Sequence, residues 1–198
     1  MSPGIHITGG EFKGRKLKSP SKGYRPTTAI VKRSFFDSLA AEIENANFLD
    51  LFAGAGAIGL EALSRGVGYV CFIEENFSRS DMILKNLEML GISPDRAEVL
   101  PFDYIRALEK LKDRNMKFDI IYTDPPYEEI MPVNILAYVV SSGVLDSEGT
   151  MVFETGSKGV RELLHAAPDE LYPYRQNIKG DTALVFFRHR GKTAITDS

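Results

Sequence analysis

The sequence predicts an α/β fold built on a mostly parallel sheet with helices on both faces. Two observations carry this. Strand-like and helix-like segments alternate between residues 47 and 155, and a glycine loop joins the first of those strands to its helix. A third observation modifies it. The last two strand-like segments, ELYPYRQNI (170–178) and DTALVFFRH (181–189), are separated only by Lys179-Gly180. So short a link fits a hairpin and not a crossover, so one antiparallel strand closes the otherwise parallel sheet.

Taken in order, residues 1–20 suggest two short strands turning at Gly9, Gly10 and Gly14, a basic hairpin arm assigned to residues 1–24. The loop SKGYRPTT (21–28) follows, with Thr27 or Thr28 placed to cap a helix whose Val31, Phe35, Leu39 and Ile43 form one apolar face beside Phe36. NFLDLF (47–52) reads as a strand and AIGLEALSRG (57–66) as a helix stopped by Gly66. YVCFIE (69–74) is the next strand, and a helix over 78–90 ends at Gly91. RAEVLPFD (96–103) leads to a helix over 104–113, KFDIIYTD (117–124) to one over 131–142, and GTMVFET (149–155) is a further strand. The main domain is expected over 25–190, with 191–198 as a loose tail.

The composition, 43% hydrophobic and 26% charged, is that of an ordinary globular chain, and no apolar run approaches the roughly 20 residues that span a bilayer. No signal peptide is read at the N-terminus, and the single cysteine, Cys71, fits a reducing cytoplasm. Three scattered histidines and one cysteine offer no metal-ligand spacing. The net charge of −3 hides an asymmetry: residues 1–33 hold eight Lys or Arg against Glu11 alone, leaving a net −10 on the other 165 residues. A basic segment on an acidic body suits a polyanionic partner, with a merely solvated terminus as the alternative.

LDLFAGAGAIGLEAL (49–63) satisfies G-x-G-x-x-G through Gly54, Gly56 and Gly59. On spacing alone a dinucleotide fits. Asp50 argues against it, because an acid near the strand end repels a pyrophosphate and suits S-adenosylmethionine, which carries an ammonium and a sulfonium but no phosphate. Glu74, ending the second strand, is placed for ribose hydroxyls, and Asp103, ending the third, for the adenine amino group. Asp124-Pro125-Pro126-Tyr127 follows the fourth strand and reaches the same crevice. An exocyclic amino nitrogen on a nucleobase is a poor nucleophile, since its lone pair is delocalised into the ring. The Asp124 carboxylate and the Pro125 carbonyl can hold its N–H groups, the proline rings stiffen the loop, and Tyr127 offers a stacking face. Carbon methylation of a pyrimidine would need a cysteine nucleophile, and Cys71 lies inside a strand.

F-x-G-x-G (Phe52, Gly54, Gly56) followed by Asp-Pro-Pro-Tyr resembles the signature pair of S-adenosylmethionine-dependent amino methyltransferases. With GGEFKGRKL (9–17) and RPTT (25–28), the chain resembles the bacterial small-subunit (16S) ribosomal RNA guanine-N2 methyltransferase family over nearly its whole length. The resemblance implies a Rossmann-like, seven-stranded methyltransferase sheet whose last strand is antiparallel, with a short N-terminal β-hairpin extension. It implies action on small-subunit ribosomal RNA or the assembled small subunit, and the chain is expected to be a cytoplasmic monomer. Arg25 and Thr27 are expected over the cofactor, and Lys13, Arg15, Lys16 and Lys18 on RNA phosphates. Ala29-Ile30, Lys32-Arg33 and Lys179 depart from the family pattern, which leaves the cofactor loop and the Asp-Pro-Pro-Tyr motif intact. DNA adenine-N6 methylation shares the Asp-Pro-Pro-Tyr chemistry, and a non-catalytic RNA-binding assembly protein on the same fold is the alternative from another class.

Overall fold

The computed structural model describes residues 5–19, 27–126 and 132–190. Seven strands form one sheet in the order β5-β4-β3-β6-β7-β9-β8, with β3 Asn47–Asp50, β4 Tyr69–Ile73, β5 Ala97–Leu100, β6 Phe118–Thr123, β7 Leu145–Gly156, β8 Leu171–Lys179 and β9 Thr182–His189. Pairing is parallel from β5 through β7, and β9 runs antiparallel between β7 and β8. The chain builds outward from β3 in one direction, then returns to lay β6 on the other side. The topological switch therefore lies between β3 and β6.

Period-two alternation divides the core into two layers. Phe48, Ile120, Val152, Leu184 and Phe186 face one side, where α1 (Ala29–Ser38), α2 (Ala57–Ser64) and α3 (Phe77–Leu90) pack. Leu49, Ile121, Met151, Phe153, Val185 and Phe187 face the other, under α4 (Tyr104–Asp113), α5 (Pro132–Ser142) and α6 (Val160–Ala166). Thr28 is the cap of α1, its hydroxyl accepting from Val31 N at 3.3 Å. The first strand of the alternation stops at Asp50, two residues short of the sequence expectation. Leu51 and Phe52 already turn toward the glycine loop. The helix α6, unassigned from sequence, is short and buries only Val160 and Leu163. Among the described residues no helix is long and apolar enough to cross a membrane. The tail 191–198 lies outside the described residues.

The N-terminal strands β1 (Ile5–His6) and β2 (Lys16–Leu17) form a hairpin pressed onto the domain, with Ile5, Ile7 and Leu17 in the same core layer as Phe35 and Phe48. Backbone and side chains both hold it: Glu11 N donates to Ser64 O at 2.7 Å, and Lys18 and Asn86 exchange two bonds. At the junction Lys32 is buried, although it counts toward the basic surplus of the first 33 residues. Its Nζ donates to Glu61 Oε2 at 2.7 Å and to the His6 carbonyl at 2.6 Å. Burial opposes ionisation of Glu61, but bonds from Lys32, Thr8 and Arg65 outweigh it and hold its carboxyl below the usual value.

Removing one partner of a buried ion pair strands the other charge, at a cost of about 3–5 kcal/mol. Lys32→Ala is therefore expected to lower Tm by roughly 6–20 °C for a chain of this size. Removing the exposed Lys85–Asp81 pair should move it by no more than a degree or two. Thermal unfolding of the two variants checks this.

Candidate active site

The glycine loop begins where β3 ends. Gly54 (φ 57°) and Gly56 (φ 80°) take left-handed backbone conformations that side chains disfavour. A Cβ on Gly59 would fall 2.3 Å from the Phe72 ring, so glycine there lets α2 lie directly on β4. Gly56 caps α2 without a side chain. The missing acceptor comes from Asp50, whose Oδ2 accepts from Gly59 N at 3.0 Å across nine residues of sequence. A carboxylate thus sits at the helix N-terminus, the place a pyrophosphate would take in a dinucleotide fold. The residues present fit a cofactor bearing positive charge and no phosphate.

Burial pushes Asp50 up to about 7. The Gly59 amide pulls the other way, while the carboxylates of Asp124 and Glu74 add to the rise. Glu74, just beyond β4, accepts from Gly54 N at 2.8 Å through one oxygen and from Asn76 N at 2.9 Å through the other. Burial raises its carboxyl as well. Across the switch point, Asp50 and Tyr122 are register partners on β3 and β6. A small cavity of about 40 Å³ opens there, lined by Thr27, Asp50, Phe52, Gly54, Tyr122 and Asp124, with Ala53, Ala57 and Ile58 completing the wall. Asp124 is half-buried, Pro125 buried and Pro126 exposed. Beneath them the Tyr122 hydroxyl donates to Glu154 on β7. Burial and the surrounding carboxylates of Glu154, Asp124 and Asp50 keep that phenol protonated. Asp124 thus faces the crevice from a strand end braced by a buried hydrogen bond to the neighbouring strand.

Strand-end acids, a helix N-terminus capped by the Asp50 carboxyl and an acid followed by two prolines meet at one switch point. A family model described as Conserved hypothetical protein 95 matches residues 5–188. The chain belongs to that family. The Ribosomal RNA small subunit methyltransferase D of Escherichia coli strain K12 is 32% identical over 189 residues, 95% of this chain and 91% of that protein. Among solved structures, yhhF of Escherichia coli superposes with a TM-score of 0.82 at 29% identity, covering 94% of this chain and 98% of the other. SMU.776, whose structure is complexed with SAH, shares the fold at a TM-score of 0.63 and 11% identity, over 79% of this chain and 48% of its own.

Within this Conserved hypothetical protein 95 chain, Thr27, Asp50, Phe52, Gly54 and Asp124 come together around the cavity, with Gly56 and Glu74 directly behind the loop. Asp103 stands outside the lining of the cavity. It is the exposed N-cap of α4, its Oδ1 accepting from Arg106 N at 3.0 Å. Phe52 packs on Tyr104 (ring centroids 5.5 Å apart), which meets Tyr138 edge-on. Arg25 and Tyr127 lie outside the described residues. Lys13, Arg15, Lys16 and Lys18 are exposed on the hairpin, apart from the cavity. Cys71 is fully buried inside β4, and burial pushes its thiol well above the ordinary range. Glu154 escaped the sequence reading, although it too closes a run of strand residues. Applying the strand-end rule to FET as it was applied to FIE would have found it.

Proposed function

We propose that this chain is an S-adenosylmethionine-dependent methyltransferase of small-subunit ribosomal RNA, and that the accepting atom is the exocyclic N2 of a guanine. The observation that carries the reading is the pairing of Asp124 with Asp50 on one cavity across the β3–β6 switch point. The extended likeness to Ribosomal RNA small subunit methyltransferase D supplies the substrate class.

Bound S-adenosylmethionine supplies an activated methyl group on a positively charged sulfur. The chain's part is positioning and electrostatics. Asp50 and the Gly54–Gly56 turn hold the cationic end of the crevice, and Glu74, fixed by two backbone amides, is aimed for ribose hydroxyls. The Asp124 carboxylate accepts one amino N–H, and the Pro125 carbonyl is available for the other, which localises the nitrogen lone pair toward the methyl. Asp124 would also take the surplus proton of the accepting nitrogen and pass it to solvent. Lys13, Arg15, Lys16 and Lys18 contact phosphates and set orientation without reading bases.

The test is methyl transfer from labelled S-adenosylmethionine to small ribosomal subunits lacking their own modifications, followed by nucleoside analysis. N2-methylguanosine is the expected product. A different methylated nucleoside would overturn the target atom, and label appearing only in DNA as N6-methyladenine would overturn the substrate.

A further inference from the structure

A groove of about 570 Å³ runs along the outer flank of α1, between that helix and β8. Helix and strand are antiparallel along it. Arg175 Nη1 donates to the Ser38 carbonyl at 2.6 Å, at the end of α1. Asn177 Nδ2 reaches the hydroxyls of Ser38 (2.8 Å) and Ser34 (3.1 Å). The next residue on that strand face, Lys179, therefore comes level with Ala29 and Ile30 at the start of the helix. Because β8 runs parallel to β7 and β6, Lys179 stands at the same sheet edge as Asp124. One end of the groove thus opens a residue or two from Thr27, which lines the cavity, and the groove extends for the length of α1, about 15 Å.

Its charge is one-sided. Among the described residues Arg33, Arg175 and Lys179 line it against Asp37, on a chain whose net charge is −3. One large apolar side chain, Ile30, stands 66% exposed at its open end. The flank matters too. Lys32, which holds the hairpin through the His6 carbonyl, projects from α1 about 200° around from Ser34, so hairpin and groove lie on opposite sides of the helix. The groove's cations therefore lie on the flank of α1 away from the hairpin and its Lys13, Arg15, Lys16 and Lys18.

Resting on the ribosomal RNA reading above, we infer that the α1–β8 groove is a second RNA-backbone site. It holds backbone next to the target nucleotide, and the hairpin contacts a more distant part of the same RNA. Arg33 and Lys179 take phosphates, Arg175 remains pinned to Ser38 and contributes field, and Ile30 faces the sugar and base edges of the bordering nucleotide. An anchor beside the crevice suits a single-stranded or looped segment whose target base is splayed into it.

The experiment compares wild type with the double variant Arg33→Glu plus Lys179→Glu, both residues being exposed and free of the bonds that hold Arg175. Two readouts are taken: binding of in-vitro-transcribed small-subunit RNA across a salt series, and methyl-transfer kinetics on the same RNA or on subunits. The expected result is a KM for RNA raised several-fold with kcat and S-adenosylmethionine affinity unchanged. The slope of log affinity against log salt should also become shallower by about 1.4, at roughly 0.7 per phosphate contact. Arg33→Lys with Lys179→Arg should restore both, since phosphates accept either cation. An unchanged salt slope and KM in the double variant, with wild type active, would overturn the groove and leave the enzyme reading intact. A wild type that transfers no methyl, yet loses salt slope in the variant, would overturn the enzyme reading and leave the groove.

Discussion

Asp124→Ala is expected to lower the single-turnover rate of methyl transfer by about 10²–10³-fold, the loss seen when one preorganised polar group aimed at a transition state is removed. Affinity for S-adenosylmethionine should stay within a few-fold. The two effects separate because Asp124 and Asp50 line the same cavity from different strands. Asp50 is bonded to the α2 amide and keeps its place without Asp124. Asp124 follows β6, half-buried on the wall of the cavity. Losing its charge should even help ionise Asp50, since the Asp124 carboxylate is one of the groups that push Asp50 up. Single-turnover rates and titration calorimetry on the same preparation decide it. A parallel collapse of rate and cofactor affinity would show that Asp124 holds the cofactor and not the amino group. Asp124→Asn sharpens the test: the shape survives, but one acceptor becomes a donor that opposes an amino N–H.

Much of this arrangement was legible locally. The helix expected over 104–113 has those bounds, because Asp103 caps it and its apolar positions repeat at helical spacing. The same residue shows the limit of local reading. An acid at a strand end serves equally as a ligand or as the cap of the next helix, and the sequence offers both. In Asp103 the cap is what the structure shows. Leu51 and Phe52 look like strand because they are apolar, but the tight turn into Gly54 takes them out of it. The unread features are those made by distant segments meeting. The Asp50–Gly59 bond supplies a cap the helix lacks, the Tyr122–Glu154 bond spans two strands 32 residues apart, and Lys32 is buried because the hairpin folds over it. Charge counting assigned Lys32 to the polyanion-facing arm, and only docking of the hairpin shows it turned inward. The helix α6 offered too few turns for a period to emerge.

Affinity for S-adenosylmethionine is expected to fall as pH drops through 7, although the cofactor's own charges do not titrate in the way that would produce this. Asp50 is the cause. Its folded value is raised from 3.8 to about 7, first by burial and then by the neighbouring carboxylates, against the pull of the Gly59 amide. Near neutrality the ligand-free site is a mixture of protonated and ionised forms. A cation in the crevice binds the ionised form more tightly, so the bound complex holds that proton less strongly. Affinity should plateau above pH 8, then decline by up to about tenfold per pH unit below 7 until the complex itself protonates. Asp50→Asn should flatten the profile. It should bind weakly at pH 8, and the gap to wild type should narrow as pH falls below 7 and the native carboxyl becomes neutral. The stability of the ligand-free protein carries the opposite sign. A carboxyl raised on folding makes the folded state the better proton acceptor between about pH 4 and 7, so Asp50's contribution falls as pH rises across that window and levels off above it. A shift of this size is worth on the order of 4 kcal/mol. Asp50→Asn should therefore stabilise the empty protein at pH 8 while weakening its grip on the cofactor. If the variant keeps the wild-type pH profile of binding, the cationic end of the cofactor lies away from Asp50, and the acid at the helix N-terminus serves the fold alone.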